Sequence, residues 1–180
     1  MDEFWVFGYG SLMWNPGFPS HKRANARLSG YHRSLCVYSY VHRGTAEIPG
    51  LVLGLDRGGF CEGVAFAAKN DDEEAVMAYL RARELVTRVY RELVLPIRLD
   101  NGDTVPAVTY VVDHSHKQYA GKVDIDRAAD IVRRGHGQSG PNRDYVLNTV
   151  DHLKQMRIGD AALESVAKLL LNEQPRPRHG

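Results

Sequence analysis

The chain has 180 residues, 43% of them hydrophobic and 25% charged, with a formal net charge of +1. That length suits one domain with a full-sized core, and the balanced charge gives no global pull toward nucleic acid, anionic membranes or acidic substrates. No apolar run approaches a membrane span, and Met1-Asp2-Glu3 is acidic where a secretory signal is basic.

In chain order, residues 4–8 read as a first strand of bulky apolar side chains. The strand breaks into Gly8-Tyr9-Gly10-Ser11 before a second apolar run, Leu12-Met13-Trp14. Two readings fit. One is a glycine bulge at the strand's end. The other is a loop whose bare N–H groups grip an anionic group of a ligand, with Gly8 and Gly10 free to take positive φ.

Residues 30–41, 51–55 and 61–67 read as further strands, divided at Gly44, Pro49-Gly50 and Gly58-Gly59. Cys36 falls within one of them as a buried small hydrophobe. A helix follows, capped by Asn70 or Asp71, with Asp71, Asp72, Glu73 and Glu74 at its positive end. Val76, Tyr79 and Leu80 form its inner face, and it ends near residues 83–87. Leu93, Leu95, Ile97 and Leu99 then share one face of a strand. "DNGD" at 100–103 predicts a type I′ hairpin turn, and "TVPAVTYVV" returns as the partner strand. Pro106 marks an edge or a bulge there.

From residue 124 the pattern is helical. "DIDRAADIVRRG" stops at Gly135, the polar loop "GHGQSGPN" follows, "RDYVLNTVDHLKQM" is a second helix, and Asp160 caps a third. Residues 173–180 read as a disordered tail after a single domain over 1–172. Strands dominate the first two thirds and helices the end, which predicts an α+β fold.

Candidate chemistry is sparse. "GHGQSG" at 135–140 fits a dinucleotide fingerprint in letters only, because a helix precedes it where a strand is required. Asp113, His114 and His116 suggest a metal pair on one strand face, but no third ligand is placed. Arg81, Arg83, Arg88, Arg91, Arg133 and Arg134 read as a solvated face rather than a nucleic-acid surface. Ser11 lacks a nucleophile elbow and Cys36 lacks a partner base. The two cysteines, Cys36 and Cys61, are too few for a disulfide scaffold and have no metal-ligand spacing, which fits a cytoplasmic protein. Glu84, in "YLRARELVTRVY", sits at the end of the acidic helix beside apolar residues. The helix's negative pole and apolar walls both raise a carboxyl pKa toward the range of a general base. An ordinary surface glutamate fits the same letters.

Three blocks in this order, "VFGYGSLMW", "HRGTAEIPGLVLGLDRGGFCEGVAF" and "YLRARE", resemble the ChaC family of glutathione-specific γ-glutamylcyclotransferases. "KQYAG" and "NRDYVLNTVDHL" are similar to the family's C-terminal half, so the resemblance covers residues 4–172. It implies a γ-glutamylcyclotransferase-like small mixed β-barrel with surrounding helices, and an enzyme that converts glutathione, a small-molecule substrate, to 5-oxoproline and cysteinylglycine. Its chemistry needs no cofactor and no metal, and the balanced charge and short apolar runs predict no nucleic-acid or membrane partner. The resemblance makes Val6, Phe7, Gly8, Tyr9, Gly10, Ser11 and Leu12 the substrate-binding segment, acting through backbone N–H groups. It makes Glu84 the general acid/base and Tyr145 a pocket residue. Two alternatives stand beside it: a cyclotransferase for other γ-glutamyl amines, and a non-catalytic γ-glutamyl-binding regulator.

Overall fold

The computed structural model of the chain describes residues 3–172, so the tail at 173–180 lies outside the described residues. The chain divides into two compact units, one of residues up to Val37 with Leu53–Gly121, the other of Tyr38–Val52 with the residues from Lys122 on.

The first unit carries a closed five-strand barrel. Its strands are β1 (Glu3–Gly8), β2 (Lys22–Ser39), β3 (Gly50–Lys69), β4 (Tyr90–Leu99) and β5 (Thr104–Val112), in spatial order β1-β3-β2-β4-β5. β1 pairs antiparallel with β3, from Glu3↔Lys69 to Gly8↔Val64, and parallel with β5 at Trp5↔Ala107 and Val6↔Val108. Trp5, Val6 and Phe7 are all buried, so β1 is covered on both faces, as its unbroken apolar run implies.

The expected break at Gly58-Gly59 is instead part of one continuous strand. Both glycines take positive φ, 101° and 64°, and His32 Nδ1 on β2 lies 3.0 Å from the Gly58 carbonyl oxygen. Positive-φ glycines inside a strand mark a bulge, which bends the ladder without ending it.

β4 and β5 form the expected hairpin, in register from Tyr90↔Val112 to Arg98↔Thr104. Its turn is not type I′, because Gly102 alone has positive φ, 93°, while Asn101 does not. The Gly102 N–H donates to the Leu99 carbonyl (3.0 Å) and the Leu99 N–H to the Asp103 carbonyl (2.8 Å). This is a three-residue loop closed by a left-handed glycine. Pro106 sits opposite Pro96, one residue before the ladder to β1 begins, where its missing N–H is tolerated.

α1 runs Glu73–Glu84 behind a 3-10 turn at Asn70–Asp72. Its N-cap is Asp72, not Asn70 or Asp71, and no side chain caps it. Glu73 and Glu74 in the first turn and Arg81 and Arg83 in the last complement its dipole. Val76, Met77 and Leu80 are buried, whereas Tyr79 is 37% exposed, so Tyr79 leaves the expected inner face.

The second unit contains α2 (Ile125–Arg134), a two-stranded hairpin β6 (His136–Gly137) and β7 (Gly140–Pro141), α3 (Asn142–Gln155) and α4 (Ala161–Leu171). The Asp124 and Asp160 side chains accept from the N–H groups of Arg127 and Leu163, the capping pattern that sets both helix starts. Fully buried Asn142 donates to the Leu51 carbonyl and accepts from the Leu51 N–H, both at 2.8 Å. One side-chain amide thereby satisfies both backbone groups of a buried residue. Among the described residues, no helix is long and apolar enough to cross a membrane.

Candidate active site

β1 ends at Gly8, and the chain turns through Tyr9 and Gly10 into a 3-10 turn, Ser11–Met13. The Met13 N–H donates to the Gly10 carbonyl and the Asn15 N–H to the Ser11 carbonyl. The first N–H groups of such a turn have no acceptor within it. Neither Gly8 nor Gly10 takes positive φ, so neither uses the left-handed freedom expected of it. A Cβ on Gly8 would come within 2.9 Å of Leu12 Cβ, because the turn folds back on the strand end. A Cβ on Gly10, whose φ is −133°, would meet only Leu53 Cδ1, at 3.8 Å. The space around that position is otherwise open.

The loop is held from below by buried Arg33 of β2. Its Nε donates to the Tyr9 carbonyl (2.6 Å) and its Nη2 to the Glu62 carbonyl (2.7 Å). A buried guanidinium is tolerated when its donors are satisfied in this way. Val6 and Phe7 are completely buried, backbone as well as side chain, so neither presents surface to a ligand. The Phe7 carbonyl already accepts from the Thr109 hydroxyl. Tyr9 and Leu12 are buried too, while Ser11 is exposed.

Glu84 is the last residue of α1, and its side chain is only 18% exposed. Burial raises its carboxyl pKa above the ordinary value, and the Arg83 guanidinium, 3.6 Å away, opposes that rise. Arg83 Nη2 donates to Ser11 Oγ (2.7 Å) and Nη1 to the Asn15 carbonyl (2.7 Å) and the Tyr79 hydroxyl (3.0 Å). The end of α1 is thereby tied to the Gly8–Leu12 loop, which brings Glu84 and Ser11 into one neighbourhood.

A second carboxylate, Glu92 of β4, behaves oppositely. Arg81 binds it bidentately at 2.9 and 3.0 Å and the Tyr110 hydroxyl donates at 3.1 Å, so its pKa lies below the ordinary value despite burial. The Tyr110 hydroxyl is pushed up by burial, then by Glu92, and it also feels the charge of Glu84. Two carboxyls whose environments drive their pKa values apart are suited to different jobs: Glu84 to carrying a proton, Glu92 to staying ionised.

The remaining candidates fall elsewhere. Tyr145 belongs to the helical unit, on α3, where the Arg43 guanidinium lies 5.6 Å from its ring centre. His114 and His116 lie in a turn rather than on a strand face. His114 Nε2 is 2.5 Å from Asp56 Oδ1 and its ring stacks on Tyr119, while His116 Nδ1 accepts from the Gln118 N–H. Among the described residues, no three His, Cys, Asp or Glu side chains converge as a metal site. Cys36 is buried and its thiol is pushed up to about 12, chiefly by burial, which leaves no thiolate for nucleophilic attack.

The sequence pattern of the ChaC-like protein family matches residues 4–173. The chain belongs to the ChaC-like family. It is 33% identical over 175 residues to the glutathione-specific gamma-glutamylcyclotransferase of Escherichia coli K12, spanning 95% of this chain and 76% of that protein. It is 32% identical over 173 residues to gamma-glutamylcyclotransferase 2-3 of Arabidopsis thaliana, spanning 91% and 86%. Its fold matches the crystal structure of a yeast gamma-glutamyl cyclotransferase specific to glutathione, with a TM-score of 0.86 at 20% identity over 99% of this chain and 100% of that one. The α+β, γ-glutamylcyclotransferase-like fold expected from the sequence is the fold observed.

Three residues around the ChaC-like loop or Glu84 were not legible as site residues. Arg83 reads in sequence as part of a solvated basic face, yet its side chain is 21% exposed and turned onto the loop. Arg33 and Tyr110 sit inside strand patterns that look purely structural. The one available signal was adjacency: Arg83 immediately precedes Glu84.

Proposed function

We propose that this chain is a γ-glutamylcyclotransferase acting on glutathione in the cytoplasm, with Glu84 as general acid/base. The observation that carries the reading is the buried Glu84 carboxyl, tied through Arg83 to the glycine loop, in a ChaC-like chain. The pattern match spans both units, which supports reading 1–172 as one functional domain. Neither cysteine is in a disulfide and both are buried, a usage that fits a reducing compartment.

The chemistry follows from what lactam closure requires. The substrate's α-amine attacks its own γ-carbonyl carbon, a C–N bond closes the five-membered ring, and the bond to the cysteinyl nitrogen breaks. At neutral pH the amine is mostly an ammonium and has no lone pair to attack with. Glu84 takes one proton from the ammonium and delivers it to the departing nitrogen, and the second proton that the attacking nitrogen sheds as it becomes the lactam N–H passes to the departing amine or to solvent. A raised carboxyl pKa narrows the gap to the ammonium and makes the transfer less uphill. The nucleophile is already part of the substrate, so holding the folded-back conformer supplies much of the acceleration. The backbone N–H groups of Tyr9, Gly10, Ser11 and Leu12 bind the γ-glutamyl moiety and stabilise the developing oxyanion.

This places no demand on a metal or cofactor. A purely binding role gives no reason for a buried carboxyl at the loop, since burial opposes its charge. Incubating the purified chain with glutathione and, separately, with γ-glutamyl amines decides the substrate class. 5-Oxoproline and cysteinylglycine should form from glutathione at a kcat/KM well above that of any simple γ-glutamyl amine. Preference for the amines would assign the alternative substrate class, and no 5-oxoproline from either would leave a binding protein.

A further inference from the structure

Arg83 is an arginine at a helix end whose side chain is mostly withdrawn from solvent. Each of its three guanidinium nitrogens has a partner: Nη2 the Ser11 hydroxyl, Nη1 the carbonyls of Asn15 and Pro16 and the Tyr79 hydroxyl, Nε the Glu84 carboxylate. The Tyr79 hydroxyl is itself wedged over the same segment, so close that a Cβ on Gly17 would clash with it. The stretch from Ser11 to Gly17 is thus gripped by two side chains one helical turn apart on α1. Glu84 follows Arg83 directly, so where the loop sits and where the carboxylate sits are set by one side chain.

We infer that Arg83 is a positioning residue that clamps the Ser11–Gly17 segment to the end of α1 and fixes Glu84 relative to the substrate loop. The planar fork is what the arrangement uses, because a lysine ammonium is a point charge that cannot span these acceptors. The charge has a second effect. The groups that face Glu84 are Arg83 on its own helix and Tyr110 on β5, which donates to Glu92 on β4, itself held by Arg81. Of these, Arg83 is the cation that opposes the burial of Glu84. Without it the carboxyl titrates at higher pH, and the acid limb of the kcat/KM profile moves up with it, since the base must be ionised.

The inference rests on Glu84 being the base, and its test separates the two. Arg83→Met and Arg83→Lys in the full chain should be compared by steady-state kinetics, pH profile and hydrogen exchange of residues 11–17. Arg83→Met should lose about a hundredfold in kcat/KM, raise KM, move the acid limb upward and expose the loop amides, with partial rescue by added guanidinium ion. Arg83→Lys should keep the acid limb near the parent's but still raise KM and loosen the loop. A folded Arg83→Met with the parent's KM, kcat, acid limb and loop exchange would overturn the inference. Should Arg83→Met fail to fold, an Arg83→Lys with unchanged KM and unchanged loop exchange would overturn it equally. Loosened exchange and raised KM with an unmoved acid limb would leave the clamp standing and count against Glu84.

Discussion

Glu84→Gln should lower the turnover of glutathione by about a hundredfold to ten-thousandfold, the range general acid/base catalysis supplies, or about 3–5 kcal/mol of barrier. Glutamine keeps the size and most of the hydrogen-bonding shape of glutamate but accepts no proton at neutral pH. Substrate binding should persist, because the loop is unchanged. Stability at neutral pH should not fall. A folded pKa raised above the unfolded value favours the fold below the unfolded pKa, and that benefit is lost as pH rises through the folded pKa. The ionised Glu84 of the parent is therefore a net cost at neutral pH, and the Gln variant should match or exceed the parent's Tm there. The comparison variant is Glu164→Gln, an exposed residue in the first turn of α4, which should keep the parent rate. Glu92 would be a poor comparison, since it shares the Tyr110 hydroxyl with the neighbourhood of Glu84. A folded Glu84→Gln that binds glutathione and turns it over within about threefold of the parent, far short of the expected loss, would remove Glu84 from the mechanism.

Gly10→Val should fold and yet lose about a hundredfold in kcat/KM, the scale of losing an oxyanion donor. The reason is spatial. The added side chain begins in space where the fold places only Leu53 Cδ1, at 3.8 Å, so it meets little of the protein and obstructs what approaches the loop. Gly8 is the informative contrast, because a Cβ there strikes Leu12 within the fold itself and should cost stability first. Ser11→Ala should be milder than Gly10→Val. It removes one acceptor from Arg83, at 2.7 Å, and leaves the Asn15 and Tyr79 contacts in place. Parent kinetics in a folded Gly10→Val would mean that no ligand approaches this backbone.

The sequence made legible those features whose causes are local. Alternating apolar residues from Leu93 to Leu99 define β4, and the aspartates at 124 and 160 set two helix starts by capping them. Glu84 was legible as a candidate because its surroundings are near in sequence: a helix end, leucines and an arginine. What failed depended on distant partners. Gly58-Gly59 has the composition of a break, but a bulge paired to a neighbouring strand carries the ladder through it. Tyr79 has the spacing of a core residue, but its hydroxyl finds Arg83 and the backbone at Gly17. Arg83 belongs by composition to a charged surface, and its role exists only because Ser11 and Asn15 arrive from the far end of the unit's sequence. The steric meaning of Gly10, as opposed to positive φ, is likewise a property of the space around it.

The central claim is that the substrate's own amine, not water, cleaves the γ-glutamyl bond. Running the reaction with glutathione in isotopically labelled water and following both products by mass spectrometry tests it directly. Lactam closure incorporates no water oxygen, so 5-oxoproline should appear from the first turnover without label and with no free glutamate preceding it. Labelled glutamate appearing first, with 5-oxoproline trailing or absent, would contradict the account and make the chain a hydrolase.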